Sequence, residues 1–323
     1  MASSIRATRT PLFVGAACAL SALTLMVAPV TATRAAAAPP DSECSTDPTA
    51  ARLAVRDARD GGDITTAQAA TIEHDLRARL ATRAHSSTGL RTRASVSTLA
   101  LAASSVTVPV YVNVIRSGNA VSQGNVTEAM VSAQIAALNT AHRNAHSAFV
   151  FKLVSTSRTT NSVWFTATQG SVAESAMKRS LHRGGTNALN LYTLNVPGVL
   201  GWSTLPSSAS SNLLNDGVVV RFTTLPGGTY VGYNSGDTAV HEVGHWFGLY
   251  HVFQGGCTTP GDYIGDTPAQ AYAEYSCGFS DSCTASGTDP VNNFMGYTPD
   301  SCMYTFTTGQ ATRMSDAWEA YRS

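Results

Sequence analysis

The sequence predicts an α/β domain with an irregular lower half, and three observations carry that prediction. From about Val106, strand-like and helix-like segments alternate along the chain. Beyond Gly255 the periodicity gives way to a stretch rich in Gly, Pro, Asp and Cys, which holds Cys257, Cys277, Cys283 and Cys302. A last helical pattern then closes the sequence. At 323 residues the chain is long enough for one large or two ordinary domains, and no internal repeat is visible.

The elements follow in order. VTVPVYVNVI (106–115) alternates like a strand, with Pro109 placing it at an edge or at an early position of the strand. Residues 127–144 form a helix pattern whose Val131, Ile135, Leu138 and His142 make one stripe. FVFKLV (149–154) is a second strand, 171–182 a helix, and ALNLYTLN (188–195) a third strand. DGVVVRF (216–222) is a fourth, entered through the turn-like Asn215-Asp216-Gly217. Asp237 is suited to N-cap a helix that carries the run HEVGHWFGLYH (241–251). Residues 308–321 make the last helix, with Met314, Trp318 and Tyr321 on one face.

The N-terminal third reads differently. Arg6 and Arg9 precede an apolar stretch and then small residues, the pattern of a secretory signal over 1–38. An uncleaved membrane anchor is the competing reading of that stretch. Residues 39–105 read as a pro-segment and processing linker. They are rich in Arg, hold an amphipathic helix pattern over 63–84 with Ile72, Leu76 and Leu80 at four-residue spacing, and include Arg91 and Arg93 in a Ser/Thr/Ala-rich stretch. A disordered N-terminal arm is the alternative. Residues 106–323 form the packed domain. Lys+Arg and Asp+Glu both count 21, so there is no cationic surplus to recruit nucleic acid. After the signal, five cysteines remain; in an oxidising compartment the four late ones pair as two disulfides and leave Cys44 over.

The chemistry concentrates in one run. His241 and His245 are four residues apart on a helix, so their imidazoles share a face and can share a cation. Glu242 points about 100° around the helix, beside the metal, where a general base for hydrolysis must stand. In a continuous helix His251 would lie about 9 Å beyond His245 along the axis, out of reach. Gly248 can take the positive φ that ends a helix and return His251 to the same ion. Three histidines with one open position describe a catalytic zinc site. His142 and His146 are also four apart, but no Glu follows His142, which lies on an apolar stripe; that pair reads as core or surface.

The run HEVGHWFGLYH and the tail NNFMGYTPDSC resemble the metzincin clan of zinc peptidases. With GDYIGDTPAQ (261–270), NNFMGYTPDSCMYTFTTGQATRM (292–314) and LNLYTLN…LGWSTLP (189–206), the chain more narrowly resembles the pappalysin family. The resemblance covers about 106–323. It implies a metzincin-like catalytic domain: a twisted mixed sheet with the active-site helix above an irregular, disulfide-stapled lower subdomain. His241, His245 and His251 are then the zinc ligands, Glu242 the general base and then acid, Met295 the apolar floor of the Met-turn, and Tyr297 a hydrogen-bond donor to the tetrahedral intermediate. Family members usually carry Asp where this chain has Gly296, a departure that alters the turn without removing a catalytic group. The resemblance also implies the pairs Cys257–Cys283 and Cys277–Cys302; spacing alone does not choose among the three connectivities. It implies calcium near the irregular segment as well, with Asp262, Asp266 and Asp281 as oxygen donors, against an ordinary polar loop. Related zymogens are silenced by a thiolate on the open zinc position, a role for which Cys44 is the available cysteine.

The expectation is therefore a secreted zinc endopeptidase acting on proteins or peptides, with no nucleic-acid partner and no membrane attachment after signal cleavage. A catalytically silent zinc-stabilised binding module is one competing reading, and a small-molecule metallohydrolase is another. Some relatives favour a basic residue next to the cleavage site, and Asp300 is a candidate countercharge.

Overall fold

The computed structural model describes residues 60–88 and 105–323. The signal-like segment, Cys44 and the stretch around Arg91 and Arg93 lie outside the described residues. Among those described, no helix is long and apolar enough to cross a membrane.

Helix α1, Thr66–Thr88, comes first; Thr65 and Gln68 exchange hydrogen bonds at its start. It begins three residues later than the pattern over 63–84 suggests, because residues 61–65 are drawn into the site described below. Strand β1, Val106–Arg116, is followed by α2, Glu128–Asn144, whose N-cap Thr127 accepts from the Met130 amide. Strand β2, Phe149–Thr160, runs well past the expected 154 because it pairs with β1 along its whole length, through a register shift between Val110 and Tyr111. Helix α3, Val172–Leu181, is capped by Ser171, and β3, Leu189–Leu194, is buried along its whole length. The short strand β4, Gly201–Ser203, has no sequence signature. Strand β5, Val218–Arg221, completes the sheet, and α4, Asp237–Trp246, and α5, Thr308–Tyr321, follow.

The sheet order is β2-β1-β3-β5-β4, with β1, β2, β3 and β5 mutually parallel and β4 antiparallel to β5. Pro109 sits early in β1, which lies one strand in from the sheet edge, so the early position holds and the edge does not. It is tolerated because β3 pairs with β1 only from Val110 onward, so the Pro109 position has a single neighbour. Val108, Val110, Val112 and Val114 of β1, the three valines of β5 and the inner face of α4 form one apolar core. His142 is part of it: fully buried among Phe149, Phe151, Phe247 and Phe306, with burial pushing its pKa down to about 3. The irregular segment after α4 is stapled by Cys257–Cys283 and Cys277–Cys302, both with Cα atoms 5.5 Å apart.

The entry into α4 departs from the sequence expectation. Asp237 is the first helical residue rather than the N-cap, because Gly236 takes φ 101° and occupies the cap position. The free amides there are met from across the chain: Asp300 Oδ2 accepts from Ser235 N at 2.6 Å.

Candidate metal centre and active site

Helix α4 places His241 and His245 on one face, both nearly fully buried. The helix stops at Trp246; Gly248 takes φ 91°, and the chain turns back so that His251 joins them. The turn is closed by Leu249 N donating to Gly244 O at 3.0 Å. The Nε2 atom of His245 lies 3.1 Å from that of His241 and 3.1 Å from that of His251.

Each outer ring nitrogen has an acceptor. Nδ1 of His241 faces Phe294 O at 2.6 Å, Nδ1 of His245 faces Leu249 O at 2.8 Å, and Nδ1 of His251 faces Asp63 Oδ1 at 3.2 Å. With the proton held on Nδ1, each Nε2 presents a lone pair to the common point. The fourth group there is Asp60, from the N-terminal segment. Its Oδ2 lies 3.2, 2.8 and 3.1 Å from Nε2 of His241, His245 and His251. Among the described residues this is the one group of His, Cys, Asp and Glu whose ligand atoms converge, all within 4.8 Å of one another.

The donor set fits zinc. Three imidazole nitrogens and a carboxylate oxygen, with the five separations above between 2.8 and 3.2 Å, are donors of the kind that hold zinc. Lone pairs from three imidazoles and a carboxylate, gathered in a buried site, are stabilised by a cation between them. Burial opposes ionisation of Asp60, yet the imidazoles of His251 and His245 hold its carboxyl well below the usual carboxylate range.

Around the four donors stand the remaining expected residues. Glu242 is buried beside them, and its Oε2 has no hydrogen-bond partner among the described residues. Burial first, and the Asp60 charge second, push its carboxyl well above the ordinary range. Tyr297 Oη donates to Asp60 Oδ1 at 2.8 Å, and Tyr233 Oη donates to Tyr297 O at 3.0 Å. Met295 is fully buried beneath α4, its sulfur so close to Gly244 that a side chain there would collide. Asn293 Oδ1 accepts from Met295 N at 2.9 Å, and Val252 N donates to Met295 O at 3.2 Å. A cleft with about 280 Å³ of open space runs beside Glu242, lined also by Leu200, Tyr233, Thr238, Tyr297 and Met303.

The N-terminal segment also meets the sheet edge. Asp60 bridges in parallel to Gly201 of β4, with Gly61 N donating to Gly201 O at 3.1 Å. The site thus contains residues the sequence reading passed over. Asp60 and Asp63 stand in Asp-Gly-Gly-Asp, two carboxylates around a flexible pair of glycines, and that was the available signal. Gly201 was also unmarked, although a Cβ there would lie 2.8 Å from Glu242 Oε1. The carboxylate of Asp60 lies among the three Nε2 atoms, while Cys44, the thiolate expected there, lies outside the described residues. The proposed calcium donors do not assemble: Asp266 accepts from Thr307 Oγ1 and Gly309 N at the start of α5, Asp262 Oδ1 accepts from Ile264 N, and with Asp281 they form no converging set. Asp300 is engaged with the start of α4, as described above.

Three histidines converging on one point from a helix and the turn that follows it, above a buried Met-turn and below a five-stranded mixed sheet, define a zinc metallopeptidase of the metzincin class. A family model described as pregnancy-associated plasma protein-A, a peptidase family, matches residues 200–319. An extracellular metalloprotease of Colletotrichum graminicola is 45% identical over 228 residues, 69% of this chain and 79% of the relative. One from Neurospora crassa is 44% identical over 228 residues, 69% of this chain and 78% of the relative. Among solved structures, a Tannerella forsythia promirolysin mutant is 27% identical with a TM-score of 0.60, covering 81% of this chain and 94% of that one. Mature mirolysin in complex with a cleaved peptide is 26% identical with a TM-score of 0.55, covering 68% of this chain and 96% of that one. The chain belongs to the pappalysin family and is a hydrolase acting on peptide bonds.

Proposed function

We propose that the chain is a secreted zinc endopeptidase made as a latent precursor, with Glu242 as its proton carrier and Asp60 as its block. The observation that carries the reading is the convergence of three Nε2 atoms beside a buried glutamate whose Oε2 has no partner among the described residues. His241, His245 and His251 would hold the ion. Zinc bound there supplies electrophilic chemistry, acidifying a water and polarising a peptide carbonyl.

Glu242 takes the proton of the attacking water and returns it to the departing amine nitrogen, from its buried position beside the three histidines. Tyr297 Oη, which donates to a carboxylate oxygen of Asp60, is placed to donate instead to the substrate oxygen that gains charge. The outer side of β4 is the sheet edge, so an extended substrate can add its main chain at Gly201, where Gly61 now pairs.

Residues 39–105 fit a pro-segment on the same geometry, since Asp60 closes the position a substrate needs. The match to promirolysin spans more of this chain than the match to mature mirolysin, 81% against 68%, in keeping with a leader that belongs to the precursor. Secretion is supported by the signal-like N-terminus and by relatives named as extracellular.

The test is Glu242→Gln, with the leader removed in parallel from the variant and from the unsubstituted protein. Casein hydrolysis should fall by at least about a thousandfold, as for loss of an essential proton carrier with its binding contacts intact. Zinc content by atomic absorption should stay near one per chain. A variant that keeps its activity removes Glu242 from the chemistry, and an unsubstituted protein that binds zinc yet cleaves nothing is a binding module.

A further inference from the structure

Helix α1 meets the rest of the molecule along one stripe. Ala69, Glu73, Leu76, Leu80 and Arg83 recur at intervals of four, three, four and three, which is one face of a helix. Ala69 is fully buried, and Leu76 packs with Ala317, Ala320 and Tyr321 of α5, with Leu80 against the same cluster.

Among these apolar contacts lies a buried charge pair. The Glu73 carboxylate pairs with the Arg313 guanidinium and accepts from Tyr250 Oη at 3.1 Å; side-chain exposures of the pair are 6% and 9%. Arg313 also lies over the Tyr250 ring, 4.6 Å from its centroid, and its Nε donates to Gly248 O at 2.8 Å. Gly248 and Tyr250 belong to the turn that carries His251 to the metal centre. Asp75 accepts from Tyr321 Oη at 2.9 Å, and Arg83 donates to Ser323 Oγ at 2.7 Å. The helix therefore grips the metal-site turn and the last helix at once, and five residues, 61–65, join it to Asp60.

We propose that the face of α5 around Arg313, with Tyr250 beside it, is a helix-docking exosite whose occupant is α1 of the same chain. It holds the leader without need of the covalent link through residues 89–104. A chain cut within those residues then stays inhibited as a two-fragment complex, because Asp60 and the docked helix reinforce each other as two sites on one short segment. A cut within 61–65 has the opposite effect: Asp60 loses its tether and the enzyme is released while α1 remains on its dock. This inference rests on the reading of Asp60 as the block, but the dock can be tested apart from it.

The experiment uses full chains in which residues 92–97 are replaced by the recognition sequence of a site-specific endopeptidase. Elution is followed in a Glu242→Gln background, so that the chain cannot trim its own leader; casein hydrolysis is followed with Glu242 in place. After the cut, the two fragments should co-elute on gel filtration and hydrolysis should remain about tenfold or more below that of the Asp60→Ala chain. Asp60→Ala fragments should also co-elute while being active. Glu73→Gln keeps the shape of the side chain and removes its charge from a buried pair; its leader should dissociate at about tenfold or greater concentration and the cut chain should become active. Separation of the fragments with Glu73 and Asp60 both in place overturns the dock. Co-elution with equal activity in the Asp60→Ala and unsubstituted chains keeps the dock and removes Asp60 as the block.

Discussion

The residue that decides the state of the site in the proposed function is Asp60. Its side chain is 3% exposed, meets three imidazole nitrogens and accepts the Tyr297 hydroxyl, so removing it opens the fourth position and frees that donor together. The uncut Asp60→Ala chain is expected to hydrolyse casein where the unsubstituted chain does not, by a margin of about a hundredfold or more if zinc was fully four-coordinate. Equal latency in the two, measured within minutes of purification, removes the role. A second position concerns stability alone. Gly296 stands where the resemblance implies Asp, yet a Cβ there meets only Asn293 O at 3.4 Å and Val252 at 3.8 Å, and its φ is not in the left-handed region. The turn is instead fixed by Asn293, whose Oδ1 holds Met295 N and whose amide exchanges two hydrogen bonds with Gln310. Gly296→Ala should therefore raise stability by about 0.5 kcal/mol through the unfolded chain, read as a higher urea midpoint with unchanged slope.

At the scale of elements, α4 carries the chemistry and its start carries a pH dependence. Burial, then the neighbouring Asp300, raises the Asp237 carboxyl to about 8, while burial raises Asp300 itself to about 6. The positive end of the helix favours a charge at Asp237, but burial and Asp300 outweigh it. The folded chain thus keeps a proton that the unfolded chain releases near 3.8. That contribution is fully present below the unfolded value and is lost as pH rises towards 8. Asp237→Asn stays neutral throughout, so its Tm should fall less than that of the unsubstituted chain between about pH 5 and about pH 8, by up to roughly 10 °C, from about 3–4 kcal/mol of linkage at a few degrees per kcal/mol. Parallel curves would show that Asp237 ionises normally. The same helix shows why some of the structure was legible in the sequence and some was not. The histidine run and Gly248 act through neighbours within a few residues, so their spacing carries the signal. Strand β4 is three residues long and exists because β5 lies beside it; Asp300 reaches Ser235 over 65 residues, and Asp60 reaches His241 over 181. Such pairings are made by the fold and leave no periodicity to read.

For the whole molecule the metal centre is a crossing point. His241 and His245 come from α4, His251 from the turn after it, and Asp60 from the segment before α1; Phe294, whose carbonyl accepts from His241, comes from the Met-turn region. If Asp60 is the fourth ligand, as proposed, the site is closed, and a closed zinc site adds its binding free energy to the stability of the fold. Removing zinc should then free Asp60 and residues 61–65 and destabilise the domain together. In the full chain a strong chelator is expected to lower Tm by roughly 10 °C, from several kcal/mol of linked binding at a few degrees per kcal/mol. In the Asp60→Ala chain the drop should be smaller, because three protein ligands hold the ion less tightly than four. Limited proteolysis at residues 61–65 should accelerate in the chelated full chain, while α1 persists on its dock. Scanning calorimetry with and without chelator separates the cases. An equal drop in both chains would mean that Asp60 contacts the histidines without binding the ion, so that latency would rest on steric closure alone.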